Sequence, residues 1–430
     1  MNIIVVGGGK MGLPLACVFA EKGAKVTVCD TNADLVAKIN TGIAPHLEPE
    51  LNYRLTKAVE TGHLTATEDT TTAVRNAQVI VIIVSALLTQ ERDIDYSNLD
   101  AASEAVAHGL QKGTLVSYET TLPVGGCRNH LCPILEKSGL NVGKDFQLVF
   151  SPERIKSRNI FEQLSNTPKV VGGHNEIAAQ AGEEFYRRYL DVEVINVGTL
   201  EAAEFVKLAG MVYRDVNIAL VNELSIFAET MHINIGAVLE AANTDGETYM
   251  LRPSIGVGGH CTPVYPYFLI KGSQRVGVQQ ELVSIGRRIN EKQPIRHVVR
   301  LKAVLGSLIG CRVHILGLAF RPSIRENSFS PAFALRDALR YEEACITIED
   351  PLYSAKELTT YGFEPAIVNE TSLDAVILNT AHPEYAQPDF QRWRTNGVRV
   401  IVDGQNFWPR AKIEKVGIIY IGIGQATTSL

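Results

Sequence analysis

The fold of this 430-residue chain is decided near its N-terminus by Ile3-Ile-Val-Val-Gly7-Gly-Gly9-Lys-Met-Gly12. The four apolar residues predict a buried strand that runs directly into a glycine-rich turn. A helical pattern of apolar residues follows, and a second strand, Lys25-Val-Thr-Val-Cys-Asp30, ends in an acid. This is the βαβ pattern in which a GxGxxG turn binds a dinucleotide pyrophosphate at a helix N-terminus. A glycine-rich turn without a ligand is the alternative.

The two ends of this unit also predict which cofactor binds. Gly7, Gly9 and Gly12 occupy the three glycine positions of the turn. Asp30 would accept hydrogen bonds from the adenosine ribose hydroxyls and repel a 2′-phosphate. The sequence therefore favours NAD over NADP.

Further strand patterns alternate with helical patterns in the first part of the chain, as in a parallel α/β sheet. Two of these strands cover residues 114–118 and 147–150, and Thr121 and Glu153 follow them. Loops at the carboxyl ends of the strands face the ligand crevice of an open α/β sheet. The two side chains are therefore predicted to reach one site. A capping hydroxyl and a surface acid are the alternatives.

A second stretch that indicates chemistry is Gly256-Val-Gly-Gly-His-Cys261-Thr-Pro-Val-Tyr-Pro266. Its glycines let the backbone approach a ligand closely, and its prolines keep Cys261 out of a regular helix or strand. A thiol on a stiff loop, preceded by His260, is a candidate nucleophile. The alternative is a buried structural cysteine.

The later part of the chain changes character twice. A helical pattern runs from Leu200 to about His232, and polar residues on its apolar face indicate a cleft, a subunit interface or a solvated face. These residues are Arg214, Asp215, Asn217, Asn222 and Glu223. A second α/β segment begins near residue 311 and has no GxGxxG turn, so it is predicted to bind a substrate nucleotide rather than a second NAD. The tail after Tyr420 is predicted to be frayed.

Composition excludes several classes of protein. The formal net charge is −6 and the chain has no lysine- or arginine-rich block, so it lacks the basic surface that binds nucleic acid. The seven cysteines are dispersed without a CxxC pair, which indicates a reducing compartment and predicts no metal site. The N-terminus reads as a strand rather than a signal peptide, and no apolar run is long enough to span a bilayer. A cytoplasmic protein with no membrane or nucleic-acid partner is expected.

Six motifs in order resemble the UDP-glucose/GDP-mannose dehydrogenase family. They are GGGKMG, ETTLPVG, FSPER, EAAEFVKLAG with RDVNIALVNEL, GVGGHCTPVYPYFL, and LGLAFRPSIRENSFSPA. The resemblance covers nearly the whole chain. It implies an α/β protein with an N-terminal NAD-binding Rossmann domain (1–199), a central helical region through which two copies form a homodimer (200–296), and a C-terminal Rossmann-like domain that binds the nucleotide sugar (297–430).

The resemblance also implies a reaction and a set of site residues. C6 of a nucleotide sugar is oxidised twice, with two NAD, through a thiohemiacetal and a thioester on Cys261. In this reaction Lys207 stabilises the oxyanion. Glu153 and Thr121 match the positions that orient the water molecule or the groups that transfer protons. The implied cofactor residues are Gly7, Gly9, Lys10, Met11, Gly12, Asp30, Ser85 and Thr121. The implied substrate residues are Glu153, Arg154, Lys207, Arg214, Tyr249, Arg252, Gly258, His260 and Arg321. Of these, Arg214 resembles an arginine that one subunit contributes to the site of the other across the dimer interface.

Three positions depart from the family pattern. Met211 stands where the family commonly has an asparagine four residues after the lysine. Tyr265 replaces an aspartate four residues after the cysteine, and Ser328 replaces an arginine. The hypothesis is that Tyr265 takes over part of the lost polar function, with Asp215 and Asn217 as further candidates.

The sequence leaves alternatives open for both the substrate and the class of reaction. GGHC followed by Pro-Val resembles the branch that acts on UDP-N-acetylhexosamines, so UDP-GlcNAc or UDP-ManNAc is favoured over UDP-glucose. A two-electron β-hydroxyacid-type dehydrogenase would need neither Cys261 nor residues 311–410. A non-catalytic protein that binds NAD or a nucleotide sugar would bind its ligands without forming NADH.

Overall fold

The computed structural model of the chain describes residues 1–156 and 158–427. The chain divides into a first unit, Met1–Gly210 with Tyr267–Gly277, and a second unit, Met211–Pro266 with Val278–Leu430. The elements before residue 200 are β1 (Asn2–Val6), α1 (Gly12–Glu21), β2 (Lys25–Cys29), α2 (Ala33–Asn40), α3 (Leu51–Glu60), β3 (Leu64–Thr67), α4 (Thr70–Val74), β4 (Val79–Ile82), β5 (Leu87–Leu88), β6 (Ile94–Asp95), α5 (Ser97–Gly109), β7 (Leu115–Tyr118), a π-helical turn (Cys127–Leu131), α6 (Cys132–Glu136), β8 (Gln147–Phe150), α7 (Ile160–Asn166), β9 (Lys169–Gly173), α8 (Glu176–Leu190) and β10 (Val194–Thr199). From residue 200 they are α9 (Leu200–Thr230), α10 (Ile235–Ala242), α11 (Tyr265–Arg275), α12 (Glu281–Leu305), β11 (Arg312–Leu316), α13 (Pro331–Tyr341), β12 (Cys345–Glu349), α14 (Ala355–Thr360), β13 (Glu364–Pro365), β14 (Ala375–Leu378), a 3₁₀ turn (Pro383–Tyr385), α15 (Phe390–Thr395), β15 (Val400–Asp403), α16 (Arg410–Lys415) and β16 (Ile419–Gly422).

The first unit is built on a sheet with the strand order β10-β9-β8-β7-β4-β1-β2-β3. Its strands run parallel except where β9 pairs antiparallel with β8. From β3 to β8 the order is that of a dinucleotide-binding fold, and the sheet continues into β9 and β10. Residues of α1 and α8 pack on one face of the sheet, and residues of α5 pack on the other. The predicted Rossmann fold is confirmed.

The second unit contains the sheet β13-β12-β11-β14-β15-β16, whose strands are all parallel. This order also belongs to the doubly wound α/β class. The predicted Rossmann-like fold of the C-terminal part is therefore confirmed. The long helix predicted from Leu200 is α9, and its residues from Met211 onward belong to this unit.

Two of the polar residues predicted along α9 lie in the core. Asp215 is fully buried, and its Oδ1 accepts hydrogen bonds from Arg287 Nη1 at 2.6 Å and Asn290 Nδ2 at 2.9 Å. Asn222 Nδ2 donates to Asn290 Oδ1 at 2.9 Å. These side chains join α9 to α12, so their polarity serves helix packing.

The prediction of a frayed tail is wrong for the described residues. Ile421 and Ile423 are buried, and β16 pairs with β15 at the edge of the sheet. The N–H of Gly424 donates to Glu229 Oε1 at 2.9 Å, and Arg300 Nη1 donates to the Gly422 carbonyl at 2.8 Å. Residues far away in the sequence therefore hold this segment. In the part of the chain that the structure describes, no helix has the length and apolar character that crossing a bilayer requires.

Candidate functional site

The glycine turn after β1 has the close packing that the sequence predicted. Gly7 has φ +110°, a conformation that favours glycine. A Cβ on Gly12 would lie 1.9 Å from the Gly7 carbonyl oxygen, whereas a Cβ on Gly9 would meet nothing within 4 Å. The turn is therefore tight where it enters α1 and open at Gly9, which is the shape that a pyrophosphate requires.

Asp30 lies beside this turn. One of its carboxylate oxygens accepts from the Gly8 N–H at 2.8 Å, and the other accepts from the Asn32 N–H at 3.0 Å. The acid predicted to recognise the ribose is thus held next to the glycine turn. Lys10 and Ser85 are exposed, and Met11 is half-buried.

Two substitutions separate the roles of the glycines. Gly12→Ala should lower the free energy of unfolding by about 1–3 kcal/mol, because its methyl group overlaps the Gly7 carbonyl. Gly9→Ala should change that free energy by less than about 0.5 kcal/mol but weaken NAD binding at least about tenfold, because the methyl group enters the open space. Thermal unfolding and NAD titration of both variants measure the difference. Equal loss of stability would contradict this account of the turn.

The loop after β7 carries Thr121, and a side chain of α9 accepts hydrogen bonds from its backbone. Thr121 is 5% exposed. The two carboxylate oxygens of Glu204 accept from the N–H groups of Gly125 at 2.6 Å and Cys127 at 2.7 Å. Because Glu204 and Lys207 are three residues apart on α9, one helix positions both this loop and the predicted lysine.

Glu153 belongs to a buried cluster of charges in the first unit. Lys207 Nζ donates to the Glu153 carbonyl oxygen. Lys169 Nζ lies 2.6 Å from Glu119 Oε2 and 3.5 Å from Glu153 Oε2. Tyr186 OH donates to Glu119 Oε1 at 2.8 Å. Each of these five residues is less than a tenth exposed, so two carboxyl groups and two amines share a site with little solvent.

The two carboxyl groups of this cluster titrate differently. Complete burial raises the pKa of Glu119 to about 6, although Lys169 opposes the shift. Burial also acts to raise the pKa of Glu153, but the charges of Lys169 and Lys207 and nearby backbone N–H groups outweigh it and lower that pKa. Glu153 is therefore a carboxylate at neutral pH, as a base requires. Glu119, Lys169 and Tyr186 were not predicted as site residues.

Arg154, the neighbour of Glu153, is half-buried. Its guanidinium donates to the Pro168 carbonyl oxygen, and burial lowers its pKa.

In the second unit, the cysteine loop packs against the segment after β11. A Cβ on Gly258 would lie 2.5 Å from Phe320 Cβ, and a Cβ on Gly259 would lie 3.0 Å from the Phe320 ring. The Gly259 N–H donates to the Ser328 carbonyl at 2.7 Å. Cys261 is half-buried, lies outside any helix or strand, and is a free thiol. The prediction that the cysteine lies outside a regular helix or strand is confirmed.

His260 has a partner that the sequence analysis missed. Its Nδ1 lies 2.5 Å from Glu326 Oε1. Hydrogen bonds with Cys261 and with Glu326 raise the pKa of His260 to about 10. Glu326 lies 66 residues along the chain, so local sequence gave no signal for the contact.

The remaining predicted substrate residues also lie in the second unit. Arg214 is half-buried, and Arg252 and Tyr249 are exposed. The Tyr249 carbonyl accepts from Asn217 Nδ2 at 2.7 Å. Arg321 Nε is buried and has no hydrogen-bond partner among the described residues.

The turn after β11 does not resemble the NAD turn. The Leu318 and Ala319 N–H groups donate to Asp350 Oδ2 at 2.7 and 2.9 Å, and His382 Nε2 lies 3.2 Å from the same oxygen. The amides that a phosphate would use are thus occupied by a side chain of the protein itself. This observation fits the prediction that the C-terminal half is not a second NAD site.

Comparison with known families gives three consecutive matches. The NAD binding domain of the UDP-glucose/GDP-mannose dehydrogenase family matches residues 1–190. The central domain of that family matches residues 201–292, and its UDP binding domain matches residues 314–410. The predictions of an NAD cofactor and of a C-terminal domain that binds the substrate nucleotide are confirmed.

Comparison of the whole chain with individual proteins agrees with these family matches. A UDP-N-acetyl-D-mannosamine dehydrogenase of Pyrococcus horikoshii is 32% identical over 433 residues, 99% of each chain. A UDP-N-acetyl-D-glucosamine 6-dehydrogenase of Pseudomonas aeruginosa is 32% identical over 392 residues, 90% of this chain and 91% of the relative. A solved structure of a UDP-D-ManNAc dehydrogenase from P. horikoshii superposes with a TM-score of 0.90 at 31% identity and covers 99% of each chain. The predicted activity class, an NAD-dependent nucleotide-sugar dehydrogenase, is confirmed, and the chain belongs to the UDP-glucose/GDP-mannose dehydrogenase family.

Proposed function

We propose that the chain oxidises C6 of a UDP-N-acetylhexosamine to the carboxylate in two two-electron steps, with UDP-N-acetylmannosamine as the first candidate. The observation that carries the proposal is the Cys261 thiol, which is held on its glycine loop and hydrogen-bonded to His260. A thiol permits a four-electron oxidation, because it traps the aldehyde as a thiohemiacetal that can lose a second hydride. Relatives named for UDP-N-acetylmannosamine and UDP-N-acetylglucosamine support the substrate class.

The first oxidation removes a proton from the C6 hydroxyl and a hydride from C6. Bound NAD supplies the hydride acceptor for both oxidations. Glu153, which the two lysines keep ionised, takes the hydroxyl proton directly or through a water molecule. The Lys207 ammonium stabilises the negative charge that develops on the oxygen. Thr121 orients the hydroxyl or the water.

The second oxidation passes through Cys261. Its sulfur attacks the aldehyde carbon, a C–S bond forms, and the oxygen takes a proton to give a thiohemiacetal. Loss of the second hydride from carbon and of the proton from the thiohemiacetal hydroxyl leaves a thioester. Water then breaks the C–S bond, which releases the carboxylate and regenerates the thiol. Four electrons leave the sugar, and one water molecule is consumed.

Arg321 is proposed to bind the nucleotide diphosphate. A buried guanidinium donor without a partner among the described residues is costly unless a ligand satisfies it. A diphosphate accepts such a donor well. Arg154, Arg252, Tyr249 and an Arg214 from a second copy are proposed as further substrate contacts.

Tyr265 is proposed to supply the polar group that Met211 lacks. Asp215 and Asn217, the other two candidates, are engaged in the packing of the second unit. It begins α11, and its N–H donates to the Cys261 carbonyl at 2.9 Å. Tyr265→Phe should lower kcat at least about tenfold, because one polar group of this kind usually contributes that much. Unchanged steady-state kinetics would contradict this role.

The face of α9 in the second unit is proposed to pair with a second copy of the chain. Its apolar side chains recur at intervals of seven, four and three residues, and each is 37–62% exposed: Tyr213, Leu220, Leu224 and Phe227. Apolar residues with this heptad spacing pair helices. Wild-type protein should have the mass of two chains in light scattering, and Phe227→Asp should have the mass of one. Ile309→Asp, which changes an exposed residue between α12 and β11, should stay dimeric. A monomeric wild type would overturn the proposal.

The substrate part of the proposal is tested by kcat/KM for UDP-ManNAc, UDP-GlcNAc, UDP-glucose and GDP-mannose, measured side by side with NAD. We expect the highest value for UDP-ManNAc or UDP-GlcNAc. A preference for UDP-glucose or GDP-mannose would contradict the N-acetylhexosamine assignment while leaving the activity class intact.

A further inference from the structure

The cysteine loop is bound to a carboxylate through its histidine. Glu326 is 10% exposed in its side chain, and its Oε1 lies 2.5 Å from His260 Nδ1. The backbone around Glu326 is fixed, because its N–H donates to the Ile324 carbonyl at 2.9 Å and its carbonyl accepts from the Phe320 N–H at 3.0 Å. The main chain that carries the carboxylate is therefore held by local hydrogen bonds.

The loop that carries the thiol is fixed against the same segment. Gly258 packs on Phe320 without room for a Cβ, Gly259 lies close to the same ring, and the Gly259 N–H donates to the Ser328 carbonyl. The Cys261 carbonyl accepts from the N–H groups of Val264 and Tyr265 at 3.1 and 2.9 Å. The His260 imidazole, which hydrogen-bonds to both Glu326 and Cys261, thus links the carboxylate to the thiol.

We propose that Glu326 and His260 are positioning residues that hold the Cys261 sulfur as a thiolate, paired with the His260 imidazolium, before substrate binds. The thiol proton moves from sulfur to the imidazole ring, so an S–H bond breaks, an N–H bond forms and no electrons are exchanged. Glu326 then stabilises the imidazolium. The inference rests on the proposed function only in taking Cys261 as the nucleophile.

Two charged groups act on His260, and both stabilise its protonated form. A thiolate on Cys261 and a carboxylate on Glu326 both favour the imidazolium and raise the pKa of His260. The imidazolium in turn favours the thiolate, because an opposite charge nearby lowers the pKa of an acid. The thiolate should therefore exist between a lower pH, where Cys261 ionises, and a higher pH, where His260 loses its proton.

The two residues control different ends of this range. His260→Asn removes the cation and should raise the pH at which Cys261 ionises by at least about one unit, so that thiolate reactivity at pH 6.5 falls at least about tenfold. Glu326→Gln leaves the imidazole in place. It should lower the pH at which His260 deprotonates by at least about one unit and move the Cys261 inflection by less.

The first experiment is alkylation of the intact protein by iodoacetamide across pH 5–10, followed peptide by peptide with mass spectrometry. Cys345 is exposed and serves as the internal reference. We expect Cys261 to react with an inflection at least about one unit below that of Cys345, and His260→Asn to abolish that difference. A Cys261 inflection equal to that of Cys345 in the wild type, or one unmoved in His260→Asn, would overturn the proposal.

The second experiment titrates the histidine ring by NMR of ¹³C-labelled histidine, with the His260→Asn spectrum assigning the signal. The signal should titrate well above the ordinary value of about 6.5 in the wild type and shift down in Glu326→Gln. Glu342→Gln, which removes a carboxylate paired with Lys302 instead, should leave it unchanged. An ordinary wild-type titration, or equal curves for wild type and Glu326→Gln, would sink the idea. Neither experiment uses sugar or NAD, so absent NADH formation with a confirmed thiolate would count against the proposed function alone.

Discussion

Cys261→Ala should lower the rate of carboxylate formation from the nucleotide sugar by about a thousandfold or more, because loss of a catalytic nucleophile has effects of this size. Without the sulfur, neither the thiohemiacetal nor the thioester can form, so the second oxidation loses its path. The first oxidation needs only the base and the hydride acceptor, and a single turnover to the aldehyde should remain. Mass spectrometry of the products, with an aldehyde trap, measures both steps.

Cys345→Ala is the matched control for this variant. Cys345 is exposed at the start of β12 and has no proposed role, so its removal should leave both steps unchanged. Carboxylate formation by Cys261→Ala within tenfold of the wild type would show that the chain does not use covalent catalysis.

Lys169→Met should destabilise the first unit by about 3 kcal/mol or more, because it leaves Glu119 and Glu153 as buried carboxyl groups without their shared cation. This corresponds to a fall of roughly 10 °C in the unfolding midpoint. The loss should be smaller at pH 5 than at pH 8. Lys169 lowers the pKa of Glu119, so its removal raises that pKa further above the unfolded value, and the stability from protonating Glu119 is lost as pH rises through it.

Two companion variants make this prediction specific. Lys169→Met combined with Glu119→Gln should recover at least about half of the lost stability, because it removes one buried charge of each sign. Lys112→Met breaks an ion pair in which the lysine side chain is 74% exposed and should cost less than about 1 kcal/mol. If the double variant were no more stable than Lys169→Met alone, the charge account of the cluster would be wrong.

Local patterns were sufficient for the architecture. The apolar run before Gly7 and the acid after the second strand predicted the Rossmann unit, and helical periodicity predicted α9. The tail after Tyr420 was mispredicted, since its burial depends on Glu229 and Arg300. Those residues lie 120 or more positions away, and composition carries no information about such contacts.

The candidate site was predictable where function fixes a residue type at a known spacing. Cys261 and Glu153 stood out in this way, and Lys207 was added by the family resemblance. Lys169 did not, because a lysine at the start of a strand is usually exposed. Glu326 was missed because only the fold of the second unit places it against His260.

The central claim is a four-electron oxidation, and the most direct test is the number of NADH formed per sugar consumed. The reaction of purified protein with limiting UDP-N-acetylmannosamine and excess NAD would be followed to completion by absorbance at 340 nm. Mass spectrometry would identify the sugar product. The account predicts two NADH per sugar and a carboxylate product. One NADH per sugar, with an aldehyde or a ketone as the product, would contradict it.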